Sequence, residues 1–299
     1  MQAFNPKNAN IKIYVGGEIV PRDQARVSVF DSVVQGGDAV WEGLRVYDGR
    51  IFCLDKHLAR LQASAKAMAF ASVPSNAEIK QAVFDTLQAN GMRDDVHVRL
   101  TLTRGEKTTS GMDPRLNQFG PTLIVLPEWK PPIFGDKSLR LITSSVRRNS
   151  PMMVDSKIHH NNLINNILAK IEANVAGVDA AVMLDLHGFV AEANATNLFM
   201  VSNGEVHTPL AEACLPGITR GLVMEICRNN DIPLHERRIS LSEFHSADEV
   251  ISTGTMSELV TVSEIDGRLI GDGKKGPMTK RLQDLFRVRA EKEGEVLPF

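Results

Sequence analysis

Lys157 is the residue from which a chemistry can be built. It stands in VDSKIHHNNLINNILAKIEAN, residues 154–174, just before an amphipathic helical pattern. A lysine amine attacks carbonyl carbons and can hold an aldehyde as a Schiff base once its surroundings lower its pKa. A single lysine at a helix start is usually a solvated side chain, so this reading needs partners elsewhere. Three kinds are present. LPGITRG, 215–221, puts proline and glycine at a helix start, where open backbone N–H groups and the helix dipole favour an anion, and Thr219 adds a hydroxyl. STGTMSE, 252–258, is a second glycine–threonine turn, and Arg60 in HLARL is a cation suited to the same phosphate. Glu192, in FVAEANATNLF, is an acid between apolar strands that can pair with a protonated pyridine nitrogen and keep the ring an electron sink. Taken singly, each segment also reads as a proline-capped helix, a hairpin turn, a solvated arginine or a strand end. Taken together, they are what a pyridoxal 5'-phosphate bound to Lys157 would require, and that cofactor is the expectation.

The elements that must position these residues read as two domains. The chain has 299 residues, 43% hydrophobic and 23% charged, with a formal net charge of −2. That balance gives no footprint for nucleic acid. Cys53, Cys214 and Cys227 are too few and too scattered for a disulfide framework or a zinc ribbon. The first residues lack the marks of a signal peptide, and no run of 18 apolar residues occurs, so a cytoplasmic protein without a membrane span is expected.

The first half predicts strands at 11–15, 39–47 and 50–53, with turns at Gly16-Gly17 and Asp48-Gly49. A helix is expected over 57–70, capped by Asp55, and another from Asn76 to Asn90, ended by Gly91. VHVRLTLT, 96–103, alternates as a half-buried strand does, and LIVL, 123–126, reads as a buried one. The polar stretch 108–118 reads as a loop. PEWKPPIFGD, 127–136, carries three prolines and marks the boundary: an N-terminal α/β domain at 1–128, a linker at 129–135 and a C-terminal domain at 136–299. The second half predicts strands at 139–145, 180–185, 189–192, 197–202, 205–208, 249–253 and 258–262, a helix from Pro216-Gly217 to about Asn230, and a helical tail from Met278.

Two motifs are set aside. GDGKKG, 271–276, matches G-x-G-x-x-G, but Pro277 follows at once and no βαβ unit surrounds it. His159-His160 lacks the i, i+4 spacing of two metal ligands on one helix face, and no metal is expected.

The order Lys157, Glu192 with Asn197-Leu198-Phe199, LPGITR, then the STGT turn resembles the fold-type IV pyridoxal-phosphate enzymes. That class holds branched-chain aminotransferases, D-amino-acid transaminases and aminodeoxychorismate lyases. VWEGLRVYDGRIFCLDKHLARL is similar to the family's VFEGIR…HLxRL stretch, and CLPGITR looks most like the branched-chain aminotransferase branch. The resemblance covers about Tyr14 to Asp284. It implies a two-domain α+β or α/β fold, with a small N-terminal α/β domain and a larger C-terminal pseudo-barrel. It implies Lys157 as the catalytic Schiff-base lysine and proton shuttle, Glu192 at the pyridine nitrogen, Asn197 beside it, and Arg60, Ile218, Thr219 and Thr255 around the phosphate. Arg99 matches a substrate-facing arginine and becomes the candidate for the substrate carboxylate, with His97 two residues before it on the same face.

There are departures. Gly36 stands where many relatives have a tyrosine, Asn162 stands where a second tyrosine follows the lysine, and Trp41 replaces a phenylalanine. An intact cofactor cup with a rebuilt substrate pocket is expected. The implied reaction is ping-pong transfer of an amino group between an amino acid or amine and a 2-keto acid. The alternatives are a lyase of the aminodeoxychorismate type and a non-catalytic pyridoxal-phosphate-binding protein. The family implies a homodimer or larger homo-oligomer, with the 108–118 loop lent to a neighbouring copy.

Overall fold

The structure, a computed structural model, describes residues 4–132 and 137–299. It divides into two units, one formed by Met1–Pro131, Ile158–Asn162 and Ala290–Phe299, the other by Pro132–Lys157 and Leu163–Arg289. The first unit therefore includes two short segments, 158–162 and 290–299, that lie in sequence within 136–299. The expected linker, 129–135, begins on a residue still in a strand. Its positions 133–135, and the expected domain start at 136, lie outside the described residues.

The first unit is built on a seven-stranded antiparallel sheet. Its strands are β1 (Lys12–Val15), β2 (Glu18–Pro21), β3 (Ala39–Tyr47), β4 (Arg50–Ile51), β5 (Val96–Thr103), β6 (Leu123–Trp129) and β16 (Glu295–Val296), in the order β16-β4-β3-β5-β6-β1-β2. Gly16 and Gly17 take positive φ in the β1–β2 turn, as do Asp48 and Gly49 in the β3–β4 turn. The helices are α1 (Ser32–Gly36), α2 (Leu54–Ala67) and α3 (Asn76–Asn90). Val40, Leu44 and Val46 of β3 enter one apolar core with Leu58 and Leu61 of α2 and Val83 and Leu87 of α3. Period-two alternation puts these β3 residues on one face and Trp41, Gly43 and Arg45 on the other.

α3 has the predicted bounds, set by a Ser75–Glu78 capping box and a left-handed Gly91. α2 differs. It starts at Leu54, ahead of the expected 57, and Asp55 is not its cap. Cys53 holds the cap position in a left-handed conformation without a side-chain bond. The tight exit from β4 forces that conformation and starts the helix early, leaving Asp55 to pair with Lys80 at 2.8 Å. β6 also outruns the expected 123–126. Pro127 sits within it because β1 pairs only with Ile124 and Val125, so no neighbour asks for the missing N–H on that side.

The second unit has nine strands: β7 (Leu139–Thr143), β8 (Ala180–Leu184), β9 (Val190–Ala193), β10 (Asn197–Ser202), β11 (Glu205–Pro209), β12 (Leu234–Arg237), β13 (Glu249–Gly254), β14 (Glu258–Ile265) and β15 (Arg268–Leu269). The path is β12-β11-β10-β13-β14-β7-β8-β9, with β15 beside β14. The β11–β12, β14–β7 and β7–β8 pairs are parallel and the others antiparallel. β9 packs against β10 and β11, and Ala193 N–H reaches Thr196 O at 2.8 Å. The two ends of the path thus curl together as a pseudo-barrel. Leu198, Met200, Val250, Val260 and Val262 fill its core with Phe244.

The helices of this unit are α4 (Ile164–Val175), α5 (Ile218–Asn229), α6 (Leu241–His245) and α7 (Pro277–Lys292), the last of these up to Arg289. GDGKKG is a turn leading into α7, whose first N–H groups, at Met278 and Thr279, bind the Glu249 carboxylate at 2.9 and 2.7 Å. Lys157 does not abut its helix as expected, since α4 begins at Ile164 and turns occupy the residues between.

Candidate active site

In the second unit, Glu192 lies near the end of β9, almost fully buried. Burial raises its pKa. The Arg148 guanidinium opposes that shift and donates from Nε to Glu192 Oε1 at 2.6 Å. Arg148 is itself held by Asn165 Oδ1 at 2.9 Å. Asn197 donates through Nδ2 to Glu192 Oε2 at 3.2 Å and to Leu215 O at 2.9 Å. It thereby ties the acid to the LPGITR turn.

That turn is built for close approach. A Cβ on Gly217 would lie 2.1 Å from Asn197 Oδ1, so only glycine fits. Gly217 caps α5 without a side-chain bond, which leaves its first-turn N–H groups, at Ile218 and Thr219, available to an anion. Thr255 lies half-buried in the turn at 255–257, after β13. Lys157 is lightly held: its Nζ is 3.4 Å from Asp155 Oδ1 and 3.2 Å from Glu212 O. A buried acid, a glycine-only helix start and a weakly tethered lysine in one unit fit pyridoxal phosphate, which needs a ring-nitrogen partner, an anion cradle and an amine.

In the first unit, the centre is Glu42, a residue that sequence reading passed over. Its carboxylate is fully buried on β3. Arg60 of α2 grips it with Nε to Oε1 at 2.7 Å and Nη2 to Oε2 at 2.6 Å. His57 Nδ1 is 2.7 Å from Oε2, and His159 Nδ1 is 3.2 Å from Oε1. Burial works to raise the Glu42 pKa, but the hydrogen bonds from Arg60, His159 and His57 hold it well below the usual range. The His159 ring lies 4.0 Å from the Trp41 ring, and Arg99 stacks on the same indole, its Cζ 3.5 Å from the ring centroid.

Residues 158–162 are clamped onto β3. Trp41 N–H donates to His159 O at 3.0 Å, Trp41 Nε1 to His160 O at 3.2 Å, and Asn161 N–H to Ala39 O at 2.8 Å. Arg99 Nη2 reaches Asn161 Oδ1 at 3.3 Å. Among the described residues no carboxylate pairs with Arg99, and burial lowers its pKa to about 10. His97, two residues away, is buried, and burial pushes its pKa to about 3, so its ring is neutral. Asn162 lies against Gly37. At Gly36 no heavy atom lies within 4 Å of where a Cβ would be.

The predicted residues therefore form two groups. Lys157, Glu192, Asn197, Ile218, Thr219 and Thr255 belong to the second unit, and Trp41, Arg60, His97, Arg99 and Asn162 to the first. Glu42, His57 and Arg148 were missed, and His159 was singled out in the sequence but given no partner. One signal was present for Glu42: an acid in register with Val40, Leu44 and Val46, at a core-facing position of an apolar strand. A cavity of about 390 Å³, lined by residues including Phe70, Arg104, Pro114 and Asn117, takes in part of the 108–118 loop and none of the predicted site residues. Among the described residues no cluster of three or more His, Cys, Asp or Glu could hold a metal.

The chain is 60% identical over 294 residues to branched-chain-amino-acid aminotransferase-like protein 2 of Arabidopsis thaliana, and 58% identical to that plant's protein 1. These matches take in 98% of this chain but 53% of each relative, so the chain spans about half the length of those proteins. A solved structure of the branched-chain amino acid aminotransferase of Thermobaculum terrenum, in its PLP-form, superposes with a TM-score of 0.85 at 27% identity, covering 95% of each chain. Residues 39–265 match the family described as amino-transferase class IV. With that match extending from β3 through β14, the chain belongs to the class IV aminotransferases, pyridoxal-phosphate enzymes of fold type IV.

Proposed function

We propose that this chain is a transaminase that moves an amino group between an amino acid or amine and a 2-keto acid in two half-reactions. The observation that carries the reading is the trio in the second unit: the lightly tethered Lys157 amine, the buried Glu192, and the glycine-only start of α5 at Gly217. When bound, pyridoxal phosphate supplies an electron sink that stabilises negative charge at the substrate's α-carbon.

The chain's residues do the rest. Lys157 Nζ would hold the cofactor and, once displaced, would carry the proton from the substrate's α-carbon to the cofactor carbon that had held the lysine. Glu192 keeps the pyridine nitrogen protonated, and Arg148 and Asn197 keep the Glu192 carboxylate aimed. Ile218 and Thr219 bind the phosphate through their N–H groups and the Thr219 hydroxyl, with Thr255 and Arg60 as further donors. Arg99, lacking a carboxylate partner among the described residues, takes the substrate carboxylate, and Trp41, His97 and Asn162 line its surroundings. The open space at Gly36 and the amide at Asn162 support a pocket shaped differently from that of most relatives, so leucine, isoleucine and valine are not assumed as donors.

The working protein is a homodimer or larger homo-oligomer located in the cytoplasm. α4 supports the first part. It turns Asn166 and Lys170 toward carbonyls of its own unit and Glu172 toward Ser144 and Ser145, while Ile164, Ile167, Leu168, Ile171 and Val175 face outward. Such an apolar stripe marks an association surface. The buried, free thiols of Cys214 and Cys227 support the second part, since they suit a reducing compartment. No helix among the described residues is long and apolar enough to cross a membrane.

Lys157→Ala tests the reading. The variant should lose the visible absorbance of the lysine-bound cofactor and all turnover. A variant that keeps both removes Lys157 from its role.

A further inference from the structure

Glu42 occupies a place where a carboxylate is normally costly. Val40, Leu44 and Val46, its neighbours on the same strand face, are buried in the apolar core. It is tolerated because Arg60, His57 and His159 surround it. These partners come from α2 and from the segment just past Lys157.

We propose that Glu42 is a positioning residue. It fixes the plane of Arg60 for the cofactor phosphate and, through His159, fixes the Trp41–Arg99 platform for the substrate carboxylate. The inference rests on the proposed pyridoxal-phosphate reading, in which Arg60 is a phosphate donor.

The geometry favours direction over field strength. A carboxylate this close cancels much of the arginine's charge, so a site built for attraction alone would leave Arg60 without an acid. A two-point grip on Nε and Nη2 instead sets the plane in which the whole guanidinium lies. It also removes rotamer freedom that arginine would otherwise lose on meeting its ligand. The second arm runs through His159, whose N–H is held by Ser64 Oγ at 3.1 Å and whose ring packs against Trp41 at 4.0 Å. Burial lowers the His159 pKa to about 4, so this link is a neutral ring donating to a carboxylate.

The test compares pyridoxal phosphate with pyridoxal, the same ring without the phosphate, by titrating apoenzyme. Glu42→Gln should weaken pyridoxal phosphate about tenfold while changing pyridoxal less than twofold. Added to Arg60→Ala, it should change that preference no further. His159→Phe should leave the preference unchanged and raise the KM of the amino donor. Should Glu42→Gln fail to fold, Glu42→Asp keeps the charge but falls one methylene short of the grip, and it should lower the phosphate preference in the same direction. Equal losses for both ligands, or none, overturn the inference. A wild-type protein with no preference for the phosphorylated ligand overturns the pyridoxal-phosphate reading itself.

Discussion

Arg99 lies on the indole of Trp41, its Cζ 3.5 Å from the ring centroid. The contact holds a half-buried guanidinium by cation–π attraction, and its Nη2 also donates to Asn161 Oδ1 at 3.3 Å. Arg99→Gln should raise the KM of a carboxylate-bearing donor at least about tenfold, as expected for loss of a charge-assisted bond. Cofactor binding should be unchanged. Steady-state kinetics beside a cofactor titration checks this, and a variant with unaltered KM removes Arg99 from the substrate site.

Burial pushes the Glu192 pKa up, and the Arg148 guanidinium beside it opposes that shift and favours the charged form that the proposed role needs. Glu192→Gln should lower kcat by about a hundredfold, in the range for removing one electrostatic partner of a reacting centre. Arg148→Met should move activity the same way and shift the acid limb of the pH–rate profile upward, because burial then acts unopposed. An unchanged acid limb would argue that Arg148 does not set the state of Glu192.

Gly217 is required by space. Gly217→Ala would drive a methyl against Asn197 Oδ1, and the displaced amide would release Glu192 and Leu215 O. The expected cost is about 1–3 kcal/mol of stability, with weaker cofactor binding. Gly221, with no atom within 4 Å of its Cβ position, is the control, and Gly221→Ala should be tolerated. Urea titration of both variants decides.

The outward apolar stripe of α4 predicts an association surface. Ile167→Glu combined with Ile171→Glu should convert the wild-type assembly to a smaller species, seen by light scattering during gel filtration. A variant assembly of unchanged mass places the contact elsewhere on the chain.

His97 and His159 set an acid limit to stability. Their folded pKa values, about 3 and about 4, lie below the unfolded value near 6.5. As pH falls below about 6.5, the unfolded state takes up protons that the folded state refuses, so stability declines. The decline from His159 ends near pH 4 and that from His97 near pH 3. Glu42, with a folded pKa below its unfolded value, adds a further loss below about pH 4.5. Denaturation midpoints between about pH 7 and pH 4 should fall, and the slope should be shallower in His97→Phe.

Much of this protein is legible in its sequence because much of it is local. Ser75, Glu78 and Gly91 bound α3 through contacts a few residues long, and β5 has the bounds that its alternation predicts, although it is buried on both faces rather than half-buried. The order from Lys157 through Glu192 and LPGITR to the STGT turn points to the cofactor for the same reason: each motif is a short turn with its own chemistry.

Tertiary structure alone decided the rest. Glu42 meets His57, Arg60 and His159 only when β3, α2 and the segment past Lys157 come together, and Arg148 meets Glu192 across 44 positions. The periodicity of α4 reveals an apolar stripe, but not that its polar residues would turn inward to satisfy Ser144, Asp179 and Asn194. Caps, turns and strand periods depend on neighbours along the chain. The partners of a buried charge depend on which distant segments are packed beside it, and no local pattern carries that information.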